Sequence, residues 1–212
     1  MPRLSEGLHF VDEHLLVLDK PAGLLAVPGR GADKQDCLAA RAQALWPDAL
    51  VVHRLDMATS GLFLMGRGIH MQRVLSRMFA ERQVDKRYEA VVAGDLGPLG
   101  TRGEIDLPLA ADWPNRPRQQ VDPVHGRPSL TRWEVLARQD GTTRLALEPV
   151  TGRSHQLRVH LLAIGHPILG DALYAPPGVL ARAPRLLLHA CALRLSHPVT
   201  GEALIFESRV PF

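Results

Sequence analysis

The chain has 212 residues, 46% of them hydrophobic and 5% aromatic, with a formal net charge of +3. This is enough chain for a sizeable core, and no apolar run approaches the length of a membrane helix. The charge only leans towards a nucleic-acid partner. Cys37 and Cys191 lie far apart and imply no disulfide framework, which fits a reducing, cytoplasmic setting. The opening MPRLSEGLHF lacks the basic-then-apolar layout of a signal peptide. The basic residues are nearly all arginine, the side chain that forks onto carboxylates and phosphates and stacks on bases.

In chain order, HLLVLDKPAGLLAVPG predicts a strand broken at Pro21 and Gly23, then a second short strand up to Pro28 and Gly29. From Asp36 a helix is expected, with Leu38, Ala42, Leu45 and Trp46 on one face and Pro47 ending it. Next come an apolar run, the polar loop HRLDMATSG and a second apolar run, read as strand, loop and strand. GIHMQRVLSRMFAERQV carries Met71, Val74, Leu75, Met78 and Phe79 at helical spacing, a core-facing stripe. DKRYEAVVAG returns to strand character with Tyr88 near its start. RWEVLAR and RLALEPV flank Asp140-Gly141, the signature of a tight β-hairpin. TGRSHQLRVHLLAIG predicts a helix with Leu157, Leu161 and Ile164 inward and Gly165 closing it. The C-terminal stretch reads as two strands about a Pro/Gly turn. Strands dominate, many in neighbouring hairpins. The expected architecture is therefore α+β with a mixed, mostly antiparallel sheet flanked by helices and loops, in one domain spanning 1–212.

Three polar segments fall at strand ends: HRLD, KRY and TGRSHQLR. If Asp56 is a reacting carboxylate, an arginine from a distant segment can hold it ionised and oriented. Arg153, on a Gly-preceded turn opening a helix, suits that role, and Tyr88 offers a flat ring on which a base can stack. Singly, Arg153 can cap a turn, Tyr88 can pad the core, and His155 can serve a helix start. Jointly, three polar clusters at the ends of apolar strands point to a site. His155 and His160 are five apart, off the spacing that sets two metal ligands on one helical face, and no CxxC occurs. No metal site is expected. KPAGLLAVPGRG matches neither a P-loop nor a dinucleotide fingerprint and is read as turns.

HRLDMATSGL resembles the catalytic motif of the RluA family of pseudouridine synthases. DKPAGLLAVPG, KRYEAVV, TGRSHQLRVHLLAIGHPILGD and LLLHACALRLSHP resemble the family's other motifs, in order, over nearly the whole chain. PLAADWPNRPRQ and the compact length place it nearest the branch acting on both ribosomal and transfer RNA. Many relatives carry an N-terminal S4 RNA-binding domain, for which this chain leaves no room. Ser154 stands where relatives commonly have threonine.

The resemblance implies the pseudouridine synthase fold and a bent sheet. It also implies isomerisation of uridines in stem-loops of 23S ribosomal RNA and in the anticodon stem-loop of transfer RNA. Asp56 is then the essential carboxylate, acting either as nucleophile at C1′ or as base at C2′. Arg153 is its ion-pair partner, and Tyr88 stacks on the uracil. The target must be flipped from the RNA stack. Arg54 is placed to fill the gap it leaves, with His53 beside it, and Leu157 supplies apolar packing. Thr59 and Ser60 tie the loop's backbone. Arg116 and Arg118 in WPNRPRQQ are expected on phosphates, against the alternative of a solvated basic turn. Substrate and product are isomers, so no cofactor is expected; the partners are structured RNAs, not DNA or membranes, and the enzyme is expected to be a monomer. Two other readings are weaker. An inactive RNA-binding module of the same fold sits poorly with intact Asp56, Tyr88 and Arg153, and a hydrolase using Asp56 with His53 or His155 lacks a Ser or Cys nucleophile signature.

Overall fold

The apolar run Leu15–Leu18 is buried on both pleated faces, so strand β2 (Leu15–Lys20) has no polar alternation and is flanked by pairing strands. The computed structural model of the chain describes residues 7–212; residues 1–6, part of the stretch read for a signal peptide, lie outside the described residues. Two compact units emerge, one from the chain up to Lys86 with Ala190–Pro211, the other from Arg87–His189 with Phe212.

In the first unit, β1 (Leu8–Val11), β2, β4 (Ser60–Arg67) and β11 (Leu188–Ser196) follow in that sheet order, with β11 starting in the second unit's share of the chain. Strand β3 (Ala49–Val51) pairs with β4, and β12 (Ala203–Glu207) with β11. Helix α2 (Gly68–Ala80) buries Met71, Leu75 and Met78 on the predicted stripe. Leu75 and Met78 join Leu15, Val17, Leu62, Leu64, Leu193 and Phe206 in one core, with Val74 and Phe79 packed against it. A Cβ on Gly61 (φ +110°) would lie 2.3 Å from the Ala190 carbonyl oxygen, so only glycine permits this approach.

Two expectations in this unit need correction. No second strand follows Pro21; Leu25 makes only an isolated bridge to Cys37. Helix α1 is short, Leu38–Gln43, and is capped by the Cys37 sulfur accepting the Ala40 N–H, while Asp36 instead grips Arg41 at 2.7 Å. Leu45 is exposed beyond its end. The N–H groups of Leu45 and Trp46 both return to the Ala42 carbonyl, at 3.0 and 2.8 Å, so the chain past Gln43 closes as a turn before Pro47 and does not extend the helix.

The second unit orders its strands β5 (Asp85–Ala93), β10 (Thr142–Pro149), β9 (Leu130–Gln139) and β6 (Arg102–Asp106). The β9–β10 hairpin turns through Asp140 and Gly141, both at positive φ, with Gln139 opposite Thr142. A separate small hairpin joins β7 (Leu109–Ala111) to β8 (Gln119–Val121). Helix α3 (Gln156–Ala163) buries every residue from Gln156 to Leu161, a wider face than the predicted stripe. It ends at Gly165, whose N–H and that of His166 return to Leu162 and Leu161. Helix α4 (Pro177–Leu180) is a single turn. The pairs β1–β2, β2–β4, β3–β4, β5–β10, β9–β10, β6–β9, β7–β8 and β11–β12 are all antiparallel, so the sheet is mostly antiparallel and the class is α+β, as expected.

Candidate active site

The loop that carries Asp56 begins where β3 leaves β4, after Val51 pairs with Met65. The next free N–H along β4, that of Leu64, is bonded by a side chain: it donates to His53 Nε2 at 2.9 Å. The His53 ring stacks on Phe79 (4.5 Å, 20°) and lies 4.8 Å from Phe63. Burial, and then the Lys86 charge, push its pKa down to about 3. His53 is thus a neutral ring with its proton on Nδ1, fixing the point where the loop peels away. Expected beside Arg54 as an RNA contact, this half-buried ring is engaged with Leu64, Phe63 and Phe79 of the first unit.

Beyond it, Arg54 is exposed, Leu55 is buried and Asp56 is half-buried. The Thr59 N–H donates to the Asp56 carbonyl at 3.1 Å, closing a turn. Thr59 and Ser60 are both buried, consistent with tying the backbone. The loop's other anchor comes from the DKPAG segment, where strand β2 ends at Lys20. Lys20, 1% exposed, donates from Nζ to the carbonyls of Pro21 (2.9 Å), Leu24 (2.7 Å) and Met57 (3.0 Å). Gly23 N–H also donates to Met57, at 2.8 Å. Three carbonyls match the three protons of an ammonium, which is what makes its burial tolerable. The signal was present as a lysine closing an apolar strand; its partner, 37 residues on, was not legible.

In the second unit, Tyr88 lies on β5 opposite Leu147 and is half-buried. Arg153 is exposed on a turn shaped by Gln156, a buried residue the sequence reading passed over. Gln156 Oε1 accepts from Thr151 Oγ1 (2.7 Å) and Arg153 N–H (3.0 Å), and its Nε2 donates to Leu130 O and Thr131 Oγ1. The Arg153 side chain donates to Pro128 O at 3.4 Å. Leu157, in the first turn of α3, is buried. Further along the helix, His160 is bonded to Thr131 Oγ1 and Leu107 O, and burial lowers its pKa.

His155 precedes α3 in a left-handed conformation (φ 54°), with its Nδ1 2.6 Å from the Tyr174 hydroxyl. That hydroxyl also accepts the Gln119 N–H at 2.8 Å, from the loop end of the β7–β8 ladder, where Gln119 pairs with Ala111. Arg118 and Arg158 lie over the Tyr174 ring at 5.3 and 5.0 Å, and Arg158 forms a buried two-pronged pair with Asp171. The hairpin thereby separates the two arginines expected on phosphates. Arg118 is half-buried over Tyr174, whereas Arg116 is exposed at the tip, 4.4 Å over the Trp113 ring. Among the described residues no three His, Cys, Asp or Glu converge as metal ligands.

Residues 14–163 match the family model described as RNA pseudouridylate synthase. The dual-specificity RNA pseudouridine synthase RluA of Escherichia coli K12 is 48% identical over 96% of this chain and 92% of its own length. The protein of the same description from Vibrio cholerae is 50% identical over 89% of this chain and 76% of its own. Among solved structures, human RNA pseudouridylate synthase domain containing 1 superposes with a TM-score of 0.78 at 28% identity, covering 97% of this chain and 84% of that one. Human RNA pseudouridylate synthase domain containing 4 gives 0.77 at 27% identity, over 98% and 90% of the two chains. The chain belongs to the RNA pseudouridylate synthase family. It is an RNA-modifying isomerase that converts uridine to pseudouridine.

Proposed function

We propose that this chain is a dual-specificity enzyme, acting on stem-loops of 23S ribosomal RNA and on the anticodon stem-loop of transfer RNA. The observation that carries this reading is the 48% identity to the dual-specificity Escherichia coli enzyme across 92% of that protein. In the reaction the bond between C1′ and N1 breaks, the uracil turns, and C1′ bonds to C5, whose hydrogen leaves to solvent as a proton while N1 takes up a proton. Asp56 is the essential carboxylate, as nucleophile at C1′ or base at C2′, and Tyr88 and Arg153 are the other catalytic residues. Arg54, exposed beside Asp56, enters the RNA stack as the target uridine flips out, a step costing roughly a few kcal/mol. Arg116, Arg118 and Leu157 complete the RNA-contacting set. His53 acts through the loop it anchors. The enzyme works as one catalytic domain and as a monomer in the cytoplasm, without a metal or external cofactor, because substrate and product are isomers.

Tritium release from RNAs carrying uracil labelled at C5 tests the reading. Both a 23S stem-loop and an anticodon stem-loop are expected to release tritium, and Asp56→Asn is expected to release none while keeping RNA affinity. Release from only one RNA would remove the dual specificity. Substantial release by Asp56→Asn would remove Asp56 from the chemistry.

A further inference from the structure

Trp113 is 67% exposed, the one aromatic side chain among the large exposed hydrophobics of the described residues. Scattered exposed aliphatics are ordinary on a protein surface, but an indole left in water at a loop tip contributes nothing to a core. The tip that holds it is built. Asp112 accepts the Asn115 side-chain N–H at 3.1 and 3.0 Å and the Asn115 backbone N–H at 3.3 Å. The Asp112 N–H donates to Arg118 O, and the Arg118 N–H to Asn115 O, each at 3.0 Å. One face of the indole carries the Arg116 guanidinium at 4.4 Å, and two-thirds of the residue still meets solvent.

We propose that Trp113, backed by Arg116, is a stacking platform for an unpaired base in the loop of the RNA substrate. A flat ring with a cation on one face and its other face open has the shape and polarity that nucleobases stack on, without reading their identity. One isolated ring is too small for a protein-docking patch, and the arginine beside it favours a polyanion. The platform rests on the proposed RNA stem-loop substrate and deepens it, since it takes single-stranded loop bases and not the duplex stem.

The test compares wild type with Trp113→Ala and Trp113→Phe, using a synthetic anticodon stem-loop and a blunt duplex of the same stem. Trp113→Ala is expected to bind the stem-loop roughly 5- to 150-fold more weakly, the range for one lost base–aromatic stack. Phe is expected to recover most of this loss. Stacking is not ionic, so the slope of log affinity against log salt is expected to stay unchanged, as is affinity for the duplex. KM for the stem-loop should rise while kcat at saturating RNA stays within about twofold of wild type, by the logic of uniform binding. Unchanged stem-loop affinity in Trp113→Ala overturns the proposal. So does an equal loss on the duplex, or a salt slope reduced by about one, which would mark a phosphate contact. Wild-type protein that binds both RNAs but forms no pseudouridine would break the functional reading and leave the stacking result standing.

Discussion

The Asp56 loop and the Arg153 turn are held by opposite kinds of chemistry. In the first unit the loop hangs on a buried ammonium, Lys20, and on a half-buried imidazole, His53, both aimed at backbone groups. In the second unit the turn is shaped by neutral groups, the Gln156 amide with the hydroxyls of Thr151 and Thr131. An amide network satisfies both donors and acceptors without a charge to desolvate. An ammonium must find an acceptor for each proton, and a buried histidine stays neutral only within a pH range. The difference teaches that pH and charge act on the two loops unequally.

The largest expected effect breaks the first loop. Lys20→Met leaves the carbonyls of Pro21 and Leu24 without the ammonium and that of Met57 with the Gly23 N–H alone, and we expect a loss of about 3–5 kcal/mol in urea unfolding. Pseudouridine formation should fall further than stability alone explains, because Met57 adjoins Asp56. Retention of both would show that water replaces the ammonium. Gln156→Leu is the matching break in the second unit, with about 2–4 kcal/mol expected, since hydrogen bonds between neutral groups are worth less than those from an ammonium. If it proves the costlier of the two, the contrast between the loops fails.

His53 sharpens the comparison through pH. Its folded pKa of about 3 lies below the ordinary 6.5, so the unfolded chain binds more protons between those values. Its contribution is whole above about pH 6.5 and is lost as pH falls towards 3, at up to about 1.4 kcal/mol per unit. His53→Gln keeps an acceptor for the Leu64 N–H and removes the titration. Urea midpoints between pH 6.5 and 4 should therefore fall less steeply in the variant, and an identical slope would place the titration elsewhere. The smallest effect concerns Arg118, half-buried over Tyr174. Arg118→Ala should reduce the salt slope of RNA binding by about one unit or less, and an unchanged slope would return it to a purely structural role.

What the sequence by itself determined was whatever depends on neighbours a few residues apart. The α2 stripe, the Asp140-Gly141 turn and the Gly165 helix end were all legible because helical period and left-handed turn residues are local constraints. So was the HRLD loop between two apolar runs, together with the family its motifs resemble. Strands β1, β6, β7 and β8 were not located, being three to five residues long with mixed exposure, too short for alternation to show. Only the tertiary structure decided that Lys20 and Met57 meet, that the His53 ring serves Leu64 and the two phenylalanines, and that Gln156 shapes the Arg153 turn. It also set Arg116 apart from Arg118, two residues away, by giving one an indole and the other the ring of Tyr174. These are choices of partner for polar groups buried or half-buried by the fold. A polar group leaving water must bond to whatever the packing brings near, and packing joins residues by position in space, not by separation along the chain.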